Sequence, residues 1–562
     1  MQQFNKIALA ALFALALSGQ ALAQTTAPFW TENFTSGFPS GWTTADGSNQ
    51  GVLWTWCPNP LLGDNDPGCS EPWDDPLNGQ VPFKSSTATT GCMVCDSDDA
   101  GPKPVNHVAR LTTAPINCTG KNEVFITFQT HIGVYENNAD VNAILRVSTD
   151  GTTWTDYTVF PGLTTSVRWS ENPESPIIDI SATAANQSNV LIQWQWTGNW
   201  EYMWSIDDVE IYDQDPTPAN DLSISAFFYP PSSFEQPSSQ IVDDEFSFEI
   251  NVDNKGKNAQ TNVVATVYVK EDGGATLHTQ TVQVPVIEVG TKDFAITFPN
   301  TFTPALQPGL YLIGYTISAD SVDQRPVDNQ RESPFVVSNN RFAKEDGPEQ
   351  GYRPSAGGDW AVGNLYQMGN SLEQYKATQV EFAFATNNNE IAIADVEANI
   401  YLIKINADVA PDYSNFDGSS FLSTSMELLS IAEYQAPDTI QQYELQRVSL
   451  DDLNTGGSGV VLEPGTRYLV AVEYQGLSSR VFHAFNDDVF YFFPSTIIFG
   501  GGDWNLAGFG GDVNALARMY ISLVSSTDEQ KLPENTMVVA PNPVSDNLQI
   551  ALQFEKATDA TI

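Results

Sequence analysis

The sequence predicts an all-β protein built as tandem β-sandwich domains. Short runs of alternating apolar and polar residues, separated by Gly, Pro, Asn and Asp turns, recur from end to end. Almost no segment sustains the 3.6-residue period of an amphipathic helix. Aromatic residues make up 11% of the chain and threonine is frequent, a composition suited to pleated, half-buried surfaces. At 562 residues the chain is long enough for three or four domains with cores of their own.

The first 23 residues read as an export signal. Lys6 precedes the apolar run Ile7 to Leu17, and Ala21-Leu22-Ala23 forms a small-x-small cleavage site before Gln24. That run is too short to span a bilayer, and no later stretch is long and apolar enough, so no transmembrane segment is expected. Lys and Arg total 24 against 69 Asp and Glu, a formal net charge of -45. Phosphate backbones would be repelled, which excludes nucleic acid as a partner class. The acidic surface serves solubility, or affinity for Ca²⁺ through oxygen ligands.

Residues 24–214 form the first unit. Val124, Ile126 and Phe128 alternate, as do Val190, Ile192, Trp194 and Trp196. Ala143 to Ser148 runs into the turn Thr149-Asp150-Gly151, and Trp154 begins the return strand. Cys57, Cys69, Cys92, Cys95 and Cys118 all fall in this unit, and in an exported chain they point to disulfides before metal. Two bridges and one leftover thiol are expected, with Cys57–Cys69 closing a short Pro/Gly/Asp loop. For Cys92-x-x-Cys95 the alternatives are a strained local bridge or a bridge from one of the two to Cys118. The order Glu32, Asn33, Phe34, Gly37, Pro39, Gly41, Trp42, then Ser148 to Trp154, Trp169 and Trp204 to Ile211, resembles the MAM-like jelly rolls of bacterial cleaved-adhesin domains. The resemblance implies one structural Ca²⁺ held by Glu32, Asp46 and Asp207 or Asp208, which would clip the two ends of the unit together. The turn Thr44 to Asn49 carries a single carboxylate where that family has repeated aspartates, which thins the ligand set.

Asp213-Gln-Asp-Pro-Thr-Pro218 reads as a linker opening the second unit, residues 215–338. There Phe246, Phe248, Ile250 and Val252 alternate, Asn254-Lys-Gly256 makes a turn, and Val263 to Val269 and Gly309 to Tyr315 are further strands. The Val252 to Val269 pattern resembles CARDB-like immunoglobulin-type spacer domains, a fold that assigns no function. The third unit, residues 339–526, is predicted as another sandwich, jelly-roll-like and without a named family. Its strands include Ala398 to Ile403 and Tyr468 to Val472, and Pro464-Gly465 in Leu462 to Tyr468 sets a type II turn.

The tail, residues 527–562, is a polar tether followed by Pro541-Asn542-Pro543, a stiff extended lead-in, and an alternating strand from Leu548 to Phe554. Pro541, Asn542, Pro543, Val544, Asp546, Leu548, Lys556, Ala557 and Ile562 resemble the opening of a C-terminal sorting domain of the type IX secretion system, without its later hairpin. The resemblance implies a truncated small β-sandwich, the type IX machinery as partner, and the outer cell surface as destination.

The search for catalysis returns little. His107, His131, His278 and His483 form no metal motif, and there is no G-x-S-x-G elbow and no P-loop. Trp194 and Trp196 share a strand face and belong to the core, whereas Trp200 sits in a turn and is the candidate for ligand contact. The expectation is a secreted, surface-directed, non-catalytic protein that binds extracellular protein or glycan through its first and third units, with the second as spacer. The alternatives are a secreted hydrolase or an accessory part of one, and a structural surface or matrix protein.

Overall fold

The computed structural model describes residues 27–72, 74–75, 79–135, 141–161, 169–355, 357–371, 373–386, 393–394, 396–524, 537–540 and 549–552. The expected export signal and the expected sorting residues Pro541, Asn542, Pro543, Asp546 and Leu548 lie outside them. The chain is all-β, arranged as sandwiches in series. The α-helices of the described residues are single turns, Ser181–Ala184 and Ser238–Ile241. No described helix is long and apolar enough to cross a membrane.

The first unit packs two antiparallel sheets face to face. One orders the strands Ile177–Asp179, Phe125–Ile132, Met203–Tyr212, Cys92–Asp96 and Thr55–Cys57, with Trp30–Glu32 also paired to Met203–Tyr212. The other orders Thr155–Thr158, Asn142–Ser148, Leu191–Gly198, His107–Thr112 and Thr43–Asp46. Alternate residues point inward, so Ile126, Phe128, Trp194 and Trp196 all lie in one core with Trp54 and Trp204. Trp194 stacks on Trp42 at 5.8 Å and meets Phe128 edge-on at 5.5 Å.

The cysteine expectation is half corrected. Cys57 and Cys69 are joined, with Cα atoms 4.6 Å apart. Cys92, Cys95 and Cys118 are free and buried. Strand geometry keeps Cys92 from Cys95: residues three apart face opposite sides of a sheet. Cys92 therefore turns to a small cluster with Cys57 and Cys69, and Cys95 to the main core. Burial pushes the thiols up, Cys118 to about 11 and Cys95 well above its ordinary value, so none is a ready nucleophile.

The second unit sets the sheet Leu222–Phe227, Glu249–Asn254, Phe294–Thr297 against a five-stranded sheet, Glu235–Pro237, Gln330–Ser338, Gly309–Ser318, Gln260–Glu271, Thr276–Ile287. The expected linker is bound along this unit. Lys257 N donates to Pro218 O and Asn258 N to Ala219 O, each at 2.9 Å.

The third unit has sheets of five, four and six strands. The six-stranded one contains the expected strands as Glu397–Ile405 and Arg467–Tyr474. Gly465 has φ 65°, as the type II turn requires, and the Tyr468 hydroxyl accepts Glu463 N at 2.8 Å behind it. At the tail, Met537–Ala540 pairs antiparallel with Gln549–Leu552.

The second and third units share a core. Val489 and Tyr491 pack among the second unit's buried Tyr229, Phe234 and Phe335. The Lys344 ammonium donates to Ser232 O, and Arg341 grips Glu235 with Nε at 2.9 Å and an Nη at 2.5 Å from one oxygen. Behind this seam Arg518 binds Glu345 bidentately at 2.7 and 2.8 Å, and reaches Glu381 at 3.1 Å. Arg447 and the Tyr520 hydroxyl complete Glu381 at 2.6 and 3.1 Å. Three arginines balance three glutamates, which is how such charges are kept inside.

Candidate functional site

The residues singled out from the sequence converge at two places in the first unit. The first holds the acidic set. Asp207 lies opposite Gln129 on Met203–Tyr212, and the register slips between Asp207 and Glu210, a β-bulge that turns Asp207 and Asp208 toward the same hydroxyls. Thr87 Oγ1 donates to Asp208 at 2.8 Å and to Asp207 at 3.1 Å, and Ser85 Oγ donates to Asp207. Asp207 is fully buried. Desolvation, reinforced by the charge of Asp208, outweighs these hydrogen bonds and raises its carboxyl to about 7. Asp208 Oδ2 is buried without a partner, and Asp208 borders a polar cleft of about 950 Å³ with Ser86, Gln129, Glu210, Lys257 and Arg325. Glu32 pairs with Val209 across the adjoining edge, and its Oε1 accepts Phe34 N at 2.9 Å.

Asp46 stands apart from these. It lies opposite Ala109 in the other sheet, and both its oxygens are taken by its own loop. Oδ1 accepts the N and Oγ of Ser48 at 2.9 and 2.8 Å, and Oδ2 accepts Gly51 N at 2.6 Å. Desolvation works upward on its carboxyl, but the hydrogen bonds from Gly51, Ser48 and Asn49 together bring it down to about 2. Asp208 keeps one orphaned oxygen beside Asp207, whereas the Glu32 carboxylate accepts from its own loop and is not brought together with them in a three-carboxylate group, and Asp46 serves its turn.

A pH dependence follows from Asp207. Its raised value means the folded state keeps this proton where the unfolded chain has lost it. The contribution to stability is complete below the unfolded value, about pH 4, and is lost as pH rises through the folded value. With chelator present, the stability of Asp207→Asn relative to wild type is expected to rise by about 2–3 kcal/mol between about pH 5 and about pH 8. Thermal melts at both pH values check this, and equal differences at the two would refute it.

The second place is the hairpin end at Trp200. The strands Leu191–Gly198 and Met203–Tyr212 are joined through Asn199 to Tyr202. Asn199 braces the turn, accepting Lys103 N at 2.8 Å and donating to Lys103 O at 3.0 Å. Trp200 is left at φ 57° with 49% of its surface exposed. A bulky side chain in the left-handed region is strained by about 1–3 kcal/mol, and such outliers persist where the surroundings impose them. Beside it Glu201 accepts Tyr135 N at 2.6 Å, and the rings run Tyr135, Tyr202, Trp169, His131 at 6.0, 4.6 and 5.8 Å between neighbours. Tyr135 is 57% exposed, so the row opens to solvent at that end.

Two serine–histidine pairs also occur here. Ser97 Oγ lies 2.8 Å from His107 Nε2, and Ser170 Oγ lies 3.2 Å from His131 Nδ1. All four residues are buried, and each serine is also tied to backbone, by Glu201 N and Ile132 N. Burial lowers His107 to about 4. An enclosed hydroxyl has no approach for an acyl group, so these pairs brace the fold.

Sequence reasoning missed a third feature, in the third unit. Phe490, Phe492 and Phe493 are exposed by 44%, 59% and 36%, around buried Tyr491. Next to them the carboxylates of Glu349, Asp487 and Asp488 come within 4.8 Å of one another, the one such acidic group found among the described residues. Burial, then the charge of Asp488, push both Asp346 and Glu349 up. The available signal was the unbroken run Phe490 to Phe493 after two aspartates, since four consecutive aromatics cannot all face one side of a strand.

No protein-family model matches the chain, and no curated protein sequence matches it. Among solved structures, the K3 cleaved adhesin domain of Lys-gingipain from Porphyromonas gingivalis is similar at 16% identity and TM-score 0.22, over 33% of this chain and 99% of that chain. TmCBM61 in complex with β-1,4-galactotriose is similar at 13% identity and TM-score 0.19, over 33% of this chain and 95% of that one. The CARDB domain of a Pyrococcus furiosus protein, in complex with di-metal ions, is similar at 22% identity and TM-score 0.16, over 22% and 90%. At such scores these likenesses match the sandwich architecture already described and assign no residue and no ligand.

Proposed function

We propose that this is an exported, surface-directed, non-catalytic protein that binds an extracellular glycan or protein through the Trp200 end of its first unit. The carrying observation is Trp200 itself, an exposed indole held at a backbone conformation that only glycine adopts without strain. Flat aromatic faces with polar neighbours stack on sugar rings and on apolar side chains alike, and the exposed Tyr135, edge-on to Tyr202, belongs to the same first unit. The acidic residues of the Asp207 bulge hold Ca²⁺ as a structural ion in this reading. The type IX machinery delivers the protein through its C-terminal segment to the outer surface, where the second and third units carry the first as one body.

Trp200→Gly separates binding from stability. Glycine relieves the left-handed strain, worth about 1–2 kcal/mol, but loses about 0.5–1 kcal/mol to a freer unfolded chain. The variant is therefore expected to melt at or slightly above wild type while losing glycan or matrix-protein binding at least about tenfold. Array binding of the full chain and its variant, with parallel melts, decides it. Unchanged binding by Trp200→Gly would remove the assignment. Turnover of a polysaccharide or casein by the wild type would replace the binding role with a hydrolase.

A further inference from the structure

The second unit carries buried oxygens that nothing in the protein satisfies. Asp221 is 1% exposed, and neither carboxylate oxygen has a hydrogen-bond partner. Ser223, 1% exposed, lies two residues on, on the same face of the strand, because Leu222 and Ile224 between and beyond them point into the core. Its Oγ is also unpartnered. The turn Pro326–Asp328 lies against this strand, and there Asp328 Oδ1 and the Oδ1 of Asn329, 9% exposed, are likewise orphaned. Asp323 ties the two segments together, its carboxylate accepting Leu222 N and Arg325 N at 2.7 Å each.

Buried polar groups are almost always bonded, and five orphaned oxygens on four neighbouring side chains are far from that norm. Cations nearby do not close the gap. The Arg325 guanidinium stands 3.7 Å from Asp221, beyond hydrogen-bond range, and the Lys255 ammonium is 4.0 Å from Asp328. Both are more than a third exposed, so each can swing into solvent. Desolvation, with the charges of Asp328 and Asp323, raises the Asp221 carboxyl to about 6 despite Arg325.

We infer that Asp221, Ser223, Asp328 and Asn329 form a site for a hard divalent cation of the Ca²⁺ class. Carboxylate, hydroxyl and amide oxygens with no nitrogen or sulfur donor suit Ca²⁺, which takes six to eight oxygens and accepts water for the remainder. The site is separate from the acidic set of the first unit. Bound there, the ion joins the first strand of the second unit to the turn between Gly309–Ser318 and Gln330–Ser338. That same turn region holds the linker, since Gln324 Oε1 accepts the N of Ala219 and of Asn220. The metal complex of the archaeal CARDB domain supplies no residue correspondence at its level of similarity, so the site rests on this chain's own atoms.

The test uses the full chain, stripped with EDTA and titrated with CaCl₂, with calcium per chain and the melting midpoint as readouts. Asp221→Asn removes a buried charge but keeps the shape. In chelator it is expected to melt at or above wild type, and in calcium below it, so that the order of the two proteins reverses. Asp328→Asn, at a residue whose side chain is 26% exposed, is expected to bind one calcium ion fewer or at least about tenfold more weakly. Asp208→Asn, in the first unit, is expected to leave this response in place. If Asp221→Asn and Asp328→Asn bind calcium as wild type does, or if Asp221→Asn is the less stable protein even in chelator, Asp221 is merely the ion-pair partner of Arg325 and the cation site is refuted.

Discussion

Arg518→Met is expected to destabilise the third unit by about 3–5 kcal/mol, the cost of leaving buried carboxylates without their cation. The side chains of Arg518 and Glu345 are 5% and 0% exposed, and Arg518 alone makes both hydrogen bonds to Glu345 from a guanidinium while also meeting Glu381. Glu381 would keep Arg447, which reaches it from a half-exposed position, so the larger share of the loss falls on Glu345. Arg518→Lys is expected to fall between, because an ammonium cannot span both oxygens of one carboxylate in parallel. Adding Glu345→Leu to Arg518→Met is expected to recover much of the loss, since the replaced pair no longer contains an unpaired charge. Denaturant or calorimetric unfolding of the four proteins checks this. A single-variant loss below about 1 kcal/mol would show that water reaches the pair.

The second large effect is expected from Tyr491→Ala. Tyr491 is 2% exposed and belongs to a third-unit loop, yet its ring sits in the second unit's core, edge-on to Tyr229 at 5.9 Å. Its hydroxyl donates to Lys344 O at 2.9 Å, and its ring is one of three around the Lys344 ammonium, at 5.0 Å. Truncating a buried aromatic costs about 3–5 kcal/mol through lost transfer energy and the cavity left behind. Here it also removes one face of a cation already held at about 7 by burial. The wild-type second and third units are expected to melt as one transition, and Tyr491→Ala to divide it into two. Calorimetry distinguishes the outcomes: a single unshifted transition would mean that the seam transmits no stability. The same seam argues for using the full chain in binding work, because a cut between residues 338 and 339 would open a shared core.

Residue spacing alone made much of the architecture legible. Trp194 and Trp196, two apart in an apolar run, lie at 0% exposure as alternation requires. Leu462 to Tyr468 forms the turn that Pro464-Gly465 encodes, and the short loop between Cys57 and Cys69 is closed. Cys92-x-x-Cys95 misled because the spacing by itself does not reveal that the two thiols lie in one strand. Once it lies in a strand, its two thiols face opposite ways. The candidate site was legible only in pieces. Asp207 and Asp208 were picked out, but nothing in the spacing separates them from Asp46, whose carboxylate is consumed by its own turn. Phe490 to Phe493 and the Arg518 network were not read at all.

Periodicity and turn chemistry are properties of neighbouring residues, so strands, turns, the order of the sandwiches and the acidic character of the surface could be read directly from the chain. Which edges pair, which faces meet and which charges find partners depend on residues far apart in the chain, 173 positions in the case of Glu345 and Arg518. Those contacts are fixed by sheet order and register, and by packing between units, about which a pattern of alternation is silent. The docking of the second unit on the third, the isolation of Asp46 and the unsatisfied oxygens around Asp221 therefore emerge only when the sheets are assembled in space.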